Sequence, residues 1–511
     1  MRSFAVTALL CMGMGAMAPV AWTPAAWAAP PRTLHIALRQ DTDTLDPALT
    51  GSYVGRIVLA GLCDKLFDFN QKLQIVPQLA TGYTYKDKTH LVIHLRKDVQ
   101  FQDGETMTAT AVKDTLLRDL TMKGSLRRSQ IDSISRIKVI DPLTVELVLK
   151  APSSPLLAQL AGRAGMILAP HAIKTEGAQF GLHPVCAGPF SFVSRTPQGP
   201  IVLKRFSGYW NAKAIHFDRV VYEPIPNSAV RLADLQAGAV DLVEYVVPTD
   251  IAAVKRDPKL RVVMSDWLGY NGITFNTGNG PSAKTALGQN ALVRRAFALA
   301  IDRKALAQVV FNGVFTATAQ AVPPGSPFYV PTLQAGPRDI PAAQKLLKRA
   351  GVHLPVPVVL TVANEPDQLQ VGQVVQAMAK PAGFAVTIKA MEAASSFSAA
   401  IHGQFQAYLD FWSGRADADS NLYQFLHTGG GFNYGHYSNP LVDRLLDEAR
   451  LTSSVARRRA LYAKMYAQEQ KDMPLLYLWT AKNIVGIKKS LRGFIPVPDG
   501  IIRLQGMSFA K

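Results

Sequence analysis

The chain has 511 residues, a formal net charge of +18 and three cysteines. At about 150 residues per domain, this length predicts roughly three domains around more than one hydrophobic core. The basic residues are dispersed through amphipathic segments, at Lys97, Arg127-Arg128, Arg294-Arg295 and Arg457-Arg458-Arg459. This dispersion predicts a basic solvated surface and argues against a nucleic-acid-binding tract.

The N-terminus has the layout of a secretory signal peptide. Arg2 precedes an apolar stretch at residues 4–20, and small residues at 26–28 flank a cleavage point before Ala29. We therefore expect a cleaved signal peptide at residues 1–28 and a periplasmic mature protein. An uncleaved anchor is the alternative, since this uncharged region is long enough to cross a bilayer, although prolines interrupt it.

Cys63 and Cys186 are the cysteines that remain after such cleavage. Two cysteines allow one bridge at most, which is too few for a disulfide framework. Their neighbours are apolar, and this favours two buried thiols, with a disulfide as the alternative.

The N-terminal half alternates strands with helices. Apolar alternation predicts strands at residues 33–39, 91–96 and 143–149, and Thr108 is placed to cap a helix that runs to about residue 120. After Gly188-Pro189, further strands are predicted for one mixed sheet, at residues 190–194, 201–205 and 219–222.

The C-terminal half is richer in helices with clear start and stop signals. Amphipathic patterns, Asn and Pro at helix starts and Gly after helix ends predict helices at residues 290–311, 341–350, 441–450 and 454–473. Strands are predicted at residues 358–362 and 385–389. This half is therefore expected to form an α/β domain.

A series of short motifs follows the chain from about Leu34 to Val485. They are Leu45-Asp-Pro47, Phe101-Gln-Asp-Gly104, Ala187-Gly-Pro-Phe190, Tyr209-Trp-Asn211, Leu235-Gln-Ala-Gly-Ala-Val-Asp241, Ala300-Ile-Asp-Arg303, Lys345-Leu-Leu-Lys-Arg-Ala-Gly351 and Tyr437-Ser-Asn-Pro440. In this order and spacing the chain resembles extracellular solute-binding family five, the peptide, nickel and opine group of bacterial ABC importers. Ala111 and Cys186-Ala187 depart from the family pattern in passages that shape the fold.

The resemblance implies an α/β fold like that of type II periplasmic binding proteins, with two lobes, an extra inserted domain and mixed sheets flanked by helices. The implied domain I is discontinuous (residues 29–57, 178–268 and 481–511), domain II is inserted at 58–177, and domain III spans 269–480. The implied mechanism is capture of a small molecule or peptide by hinge closure, followed by delivery to ABC permease and ATPase subunits. A monomer is expected.

The segment 410–421 bears on the ligand. In dipeptide-binding relatives a similar Trp-x-Gly-Asp passage places a carboxylate beside the ligand ammonium, but here Arg415 occupies the matching position. A guanidinium would instead grip a carboxylate, which predicts an anionic, zwitterionic or opine-like ligand. Asp417 and Asp419 could still receive an amine. The alternative is that Arg415 only pairs with one of these acids to fix the loop.

Aromatic residues are the other candidate ligand contacts, because they combine an apolar face with a polar handle. Trp412 is the first candidate, and Tyr53, Tyr245, Tyr270 and Asn271 follow because they lie near the expected lobe junctions. Core packing is the alternative for each tyrosine.

The sequence contains no G-x-S-x-G elbow, phosphate loop or His-Glu-x-x-His zinc helix. We therefore predict a solute-binding subunit without catalysis, cofactor or metal, although His427 and His436 leave a weak metal signal. Two alternatives are a secreted hydrolase that uses Asp417 and Asp419 as a carboxylate pair, and a periplasmic chaperone with exposed apolar surface.

Overall fold

Three sheets with flanking helices organise the chain. The computed structural model describes residues 32–510, so the predicted signal peptide at 1–28 lies outside the described residues. Among the residues that are described, no helix is both long enough and apolar enough to cross a membrane.

The described strands follow one another along the whole chain. In chain order they are β1 (Thr33–Leu38), β2 (Phe67–Phe69), β3 (Ile75–Pro77), β4 (Ala80–Asp87), β5 (His90–Leu95), β6 (Ile134–Asp141), β7 (Thr144–Leu149), β8 (Phe190–Arg195), β9 (Ile201–Arg205), β10 (Arg219–Pro224), β11 (Leu242–Val243), β12 (Leu260–Asp266), β13 (Tyr270–Phe275), β14 (Thr316–Ala317), β15 (Val356–Ala363), β16 (Phe384–Met391), β17 (Ala407–Trp412), β18 (Leu475–Thr480), β19 (Lys482–Lys488), β20 (Leu491–Arg492) and β21 (Ser508–Phe509).

The α-helices lie between these strands, mostly in the second half. They are α1 (Tyr53–Leu62), α2 (Ala109–Thr121), α3 (Arg128–Ile131), α4 (Leu156–Leu160), α5 (Pro170–Glu176), α6 (Ser228–Ala237), α7 (Ile251–Arg256), α8 (Ala286–Gln289), α9 (Ala291–Ala300), α10 (Arg303–Phe311), α11 (Ile340–Ala350), α12 (Pro366–Ala379), α13 (Ala393–Ile401), α14 (Asp419–Leu426), α15 (Pro440–Arg450) and α16 (Val455–Asp472).

The first sheet has seven strands in the order β12-β19-β11-β1-β10-β9-β8. β1 lies parallel to β10 and β11, whereas β19 lies antiparallel to β11 and β12, so the sheet is mixed. Because its strands come from three distant parts of the chain, the sheet ties those parts together. The loop after β1 and helix α1 leave this sheet toward the cavity described below.

The second sheet has six strands in the order β14-β18-β13-β17-β15-β16. β17 pairs antiparallel with β13 and parallel with β15, which places it inside the sheet. A third, antiparallel sheet has the order β4-β5-β7-β6. The end of β17 positions Asp410, Phe411 and Trp412 for the site.

Each of these sheets draws its strands from one of the three domains proposed from the sequence. The seven-stranded sheet falls in residues 29–57, 178–268 and 481–511, the four-stranded sheet in 58–177 and the six-stranded sheet in 269–480. This distribution agrees with the domain boundaries, which remain a proposal because residues 32–511 form one compact unit.

One predicted helix is two helices in the structure. The amphipathic pattern at 290–311 is divided into α9 and α10 at Ile301, whose backbone is extended. Asp302 begins the second helix by accepting a hydrogen bond from the Ala305 N–H at 2.9 Å. The apolar period continues across this break, so periodicity alone did not reveal it.

Arg294 also differs from expectation. We expected a solvated face or a local ion pair, but its side chain is buried and donates hydrogen bonds to backbone carbonyls. The acceptors are the carbonyls of Leu287, Gly288, Asp472 and Met473. Arg294 therefore joins the start of α9 to the end of α16.

The prediction of two free thiols is wrong, because Cys63 and Cys186 form a disulfide with a Cα–Cα distance of 4.9 Å. Both cysteines are buried, as expected. Their segments meet closely because Gly188 lies against Leu62, where a Cβ atom would come within 2.2 Å of the Leu62 carbonyl oxygen. The bridge joins the end of α1 to the segment before β8 and encloses the four-stranded sheet between them.

Replacing both cysteines, Cys63→Ser with Cys186→Ser, is expected to lower the free energy of unfolding by about 2–4 kcal/mol. The bridge spans 123 residues, so its loss frees a long loop in the unfolded chain. Denaturant unfolding with and without a reducing agent measures the effect. Equal midpoints for the oxidised protein, the reduced protein and the variant would contradict the bridge.

Candidate functional site

A central cavity lies between the loop after β1 and the C-terminal ends of β15 and β17. It contains about 740 Å³ of space that no atom fills, part of it open to solvent. Much of its wall is aromatic, from Tyr53, Phe397, Tyr408, Phe411, Trp412, Phe432 and Tyr434. The wall combines residues 40–53 with residues 363–434. An aromatic cavity with a few polar groups is the usual form of a site for a small organic ligand.

Four arginines lie near one another behind the part of the cavity wall formed by Ser52 and Ser413, and we call them the arginine cluster: Arg56, Arg127, Arg163 and Arg415. Arg56 donates to the Ser413 hydroxyl at 2.9 Å, and Arg415 donates to the same hydroxyl at 3.3 Å. Arg163 donates to the Ser52 carbonyl at 3.1 Å. Because Ser52 and Ser413 line the cavity, these bonds place the cluster behind that part of the wall.

The cluster has no direct counter-ion among residues 32–510. All hydrogen bonds of its guanidiniums go to neutral oxygens, and Arg127 donates to the Thr50 carbonyl at 3.1 Å. In this described part of the chain, Nε and Nη2 of Arg163 and Nε of Arg127 are buried without any partner. Such unpaired buried donors are costly to the fold and are the atoms that an anion would satisfy.

Four carboxyl groups act electrostatically on the cluster, but each is already engaged or tends to be neutral. Asp68 pairs with Arg503 at 2.7 Å. Asp43 accepts hydrogen bonds from its own loop, including the hydroxyls of Thr50 and Ser52 at 2.6 Å each. Asp499 pairs with Arg503 at 2.8 Å. Burial raises the pKa of Asp119 to about 8, so this group binds a proton at neutral pH. The end of the cavity therefore keeps a positive excess.

Burial and the neighbouring positive charges lower the pKa values of arginines in the cluster. Burial and then the charges of Arg127 and Arg56 lower the pKa of Arg163 well below its usual value. Burial, followed by Arg56 and Arg163, does the same to the pKa of Arg415. A guanidinium keeps its proton in proteins, so the lowered pKa expresses a free-energy cost of holding four like charges together.

Three of the residues predicted from the sequence lie at this site. Tyr53 and Trp412 line the central cavity. Arg415 belongs to the cluster, lines a neighbouring cavity and stacks on Trp412, with 4.3 Å from its Cζ atom to the ring centroid. Trp412 is held in place by a hydrogen bond from its Nε1 to Asn421 Oδ1 at 2.8 Å.

Three others lie beside the cavity or within the core. Tyr245 donates to Asp367 at 3.1 Å and, like Asn271, lines a smaller cavity next to the central one. Tyr270 packs edge-on against Phe425 and Tyr477 in the core. Core packing, the alternative given for each tyrosine, is the role that the structure shows for Tyr270.

Asp417 and Asp419 are each held by a different arginine from the one considered in the sequence. Arg458 donates to Asp417 at 2.8 Å, and Arg450 donates to Asp419 at 2.8 Å. Arg415 pairs with neither acid, so the loop-fixing alternative does not describe it. Both carboxylates are engaged in the fold and do not form the free pair that a hydrolase would need.

Within the described residues, His427 and His436 do not belong to a metal-binding group. His427 stacks on Tyr423, with ring centroids 4.1 Å apart. Over residues 32–510, no group of three or more histidine, cysteine, aspartate or glutamate side chains is placed to hold a metal ion.

The chain's similarity to known proteins agrees with this geometry. Residues 74–433 match the family model described as bacterial extracellular solute-binding proteins, family 5 Middle. The chain belongs to family 5. The family predicted from the motif order is therefore confirmed, and the protein is a solute-binding protein of the ABC-importer type rather than an enzyme.

Relatives within family 5 bind several kinds of solute. The glutathione-binding protein GsiB of Pectobacterium atrosepticum is 29% identical over 494 residues, covering 94% of each chain. The opine-binding structure of AgaA from A. tumefacien R10, in complex with agropinic acid, is 26% identical with a TM-score of 0.86, covering 94% of this chain and 99% of that one.

The murein tripeptide binding protein MppA of Escherichia coli is 20% identical with a TM-score of 0.87, covering 94% of this chain and 99% of the other. These structures confirm the predicted type II binding-protein fold.

Sequence reasoning missed several residues of this family 5 site, although a local signal was present. Arg56 is the one charged residue in the apolar helix α1, and Arg163 lies in a small apolar stretch before Met166. Asp410 lies similarly in the apolar strand β17. An ionisable residue alone in an apolar element is expected to be buried and therefore to have a function or a partner.

Replacing Arg163 with methionine is expected to stabilise the protein without ligand, by about 1–2 kcal/mol, because it removes a buried charge that the neighbouring guanidiniums repel. Chemical denaturation of the ligand-free protein measures this. The matched control is Arg458→Met, which strands the Asp417 carboxylate and should cost about 3–5 kcal/mol. Equal losses of stability in the two variants would contradict an uncompensated cluster.

Proposed function

We propose that the protein captures a peptide or peptide-like solute that bears at least one carboxylate, with the arginine cluster as the anion-binding end. The observation that supports this proposal is the set of four neighbouring arginines, three buried and Arg415 half-buried, without a direct counter-ion within the described residues. Guanidinium groups bind carboxylates through two parallel charge-assisted hydrogen bonds. A bound carboxylate would use the free N–H groups of Arg163 and Arg127 and would lower the repulsion within the cluster.

The names of two relatives support the same ligand class. Glutathione and agropinic acid, the ligands named for GsiB and AgaA, are both carboxylate-bearing molecules of peptide or opine type. The aromatic wall of the central cavity suits the less polar middle of such a solute. We extend the proposal to this class and do not select one member of it.

The transport steps belong to the same proposal. We infer that the signal peptide at 1–28 is cleaved, that the mature monomer works in the periplasm, and that the lobes close around the solute. The closed form would then be recognised by the permease of an ABC importer with its ATPase. Solute contacts from both sides of the cavity exist only in the closed form, so binding shifts the population toward closure.

Native mass spectrometry of protein purified from the periplasm tests capture directly. The mass before and after mild denaturation is expected to differ by one small carboxylate-bearing solute. A thermal-shift screen with glutathione, opines, acidic peptides and nickel complexes accompanies it. An empty protein together with no shift for any carboxylate-bearing compound would contradict the proposal.

The variants Arg415→Ala and Arg163→Ala are each expected to raise the Kd for the captured carboxylate solute by about 10–100-fold, since each loses a charge-assisted hydrogen bond. Isothermal titration calorimetry measures the change. The matched control is Arg459→Ala, because Arg459 is exposed on α16 and does not line the cavity. Similar Kd values for all three variants would contradict an arginine-bound carboxylate.

A further inference from the structure

Within the described residues, three acidic side chains line the central cavity without an ion pair: Asp43, Glu365 and Asp410. Asp43 is held by hydrogen bonds from its own loop, which leaves Glu365 and Asp410 as the candidate ligand contacts. Glu365 precedes α12, is 6% exposed, and its Oε1 has no hydrogen-bond partner within the described residues. Asp410 lies in β17, and its one hydrogen bond comes from the adjacent Phe411 N–H at 2.8 Å. Both carboxyl groups are therefore available to a ligand.

The cations near Glu365 are already engaged. Arg39 is paired with Glu244 at 2.8 Å. Arg231 donates to the carbonyls of Ile225 and Pro226, and Asp367 accepts from Tyr245. Three carboxyl groups thus face two guanidiniums in this region, and the side chain of Glu365 is the one without a bonded partner. An acidic excess therefore arises here when Glu365 loses its proton.

Glu365 and Asp410 lie close to the same tyrosine. Burial, then the charge of Asp410 and then that of Glu365 raise the pKa of Tyr408, which lines the same cavity. Burial raises the pKa of Asp410 to about 7, and burial followed by Asp367 raises the pKa of Glu365 to about 8. A nearby cation would relieve the cost of ionising both groups.

We propose that the solute carries a cationic nitrogen, such as an ammonium group, that binds between Glu365 and Asp410. This inference rests on the proposed function: the carboxylate of the solute lies at the arginine cluster and its cationic group at the acidic end. Trp412 and Phe432 contribute to the aromatic wall that would contact the intervening part. The selected solute is therefore dipolar, and a simple dicarboxylate without an amine would leave the acidic end unpaired.

Calorimetric titration with defined peptides tests the acidic end. The probes are Ala-Gly-Asp and glutathione, each with a free and an N-acetylated amine, and the carboxylate-free peptide Ala-Gly-Asn amide. Acetylation is expected to weaken binding by about 10–100-fold, which corresponds to one charge-assisted contact. In the double variant Glu365→Gln with Asp410→Asn this difference should shrink to less than about threefold.

The matched control is Glu448→Gln, because Glu448 is exposed on α15, and this variant should discriminate like the unmodified protein. Equal binding of free and acetylated probes to the unmodified protein would overturn this inference alone. Binding that does not depend on the carboxylates, or no binding of any probe at millimolar concentration, would overturn the proposed function together with it.

Proton release on ligand binding is a second measurement. A purely structural role of Glu365 and Asp410 would not change it. The charged groups that face Glu365 are Arg39, Arg231, Glu244 and Asp367. The charge of Asp410 raises the pKa of three tyrosines, which therefore stay protonated near neutrality: Tyr270, Tyr408 and Tyr434. A carboxyl with a raised pKa holds its proton in the empty site and loses it when a cation binds.

Titrations at pH 6.5 in two buffers of different ionisation enthalpy should therefore show protons released with the free-amine probes and none with the acetylated ones. Asp410→Asn should reduce the release while leaving the carboxylate dependence intact. Equal proton release for the two forms of each probe would overturn the assignment of the amine to this end.

Discussion

The free-energy cost of burying a charge without a counter-ion governs the form of this protein's central cavity. Several buried charges are paired within the fold: Arg458 holds Asp417, Arg450 holds Asp419, and Arg39 holds Glu244. Others, such as Arg294, bond only to backbone carbonyls. At the cavity, groups without an ion pair occur with both signs, in the arginine cluster and at Glu365 and Asp410. An unpaired buried charge costs several kcal/mol, so groups of this kind beside a cavity are candidates for contact with a ligand.

The chain positions of the arginines connect this cost to lobe movement. Arg56 comes from the proposed domain I, Arg127 and Arg163 from the inserted domain II, and Arg415 from domain III. Bringing these parts together brings four positive charges together, which disfavours the closed form when no anion is present. Under the proposed function, a carboxylate would reverse this balance, because it would supply the missing counter-ion only where all the arginines meet. Binding and closure would then be coupled through the same electrostatic interaction.

The sequence predicted the elements well where the signal was local. The alternating strands β1, β5 and β7 follow from their period, and the motif order identified the family. Helix α2 begins after Thr108 as predicted, but the Thr108 side chain accepts no capping hydrogen bond. Prediction from the sequence failed where the structure depends on a contact between residues that are far apart in the chain. The bridge between Cys63 and Cys186 depends on Gly188 meeting Leu62, and the partners of Asp417 and Asp419 come from α16 and α15. Arg415 was found because one motif position changed its charge, whereas Arg127 and Arg163 have no motif and meet it only in the fold.

The two ends of the cavity differ in how they respond to pH, and this follows from the groups that form them. Guanidiniums stay charged across the physiological range, so the anion-binding end acts at any pH at which the solute carboxylate is ionised. Glu365 and Asp410 have raised pKa values near neutrality, so the cation-binding end must lose protons before it attracts an amine. Because carboxyl groups can become neutral and guanidiniums cannot, the acidic end is the less costly to keep buried and empty. The dominant cost in the empty protein is therefore at the arginine cluster, and under the proposed function the carboxylate would be the part of the solute that does most to stabilise the closed form.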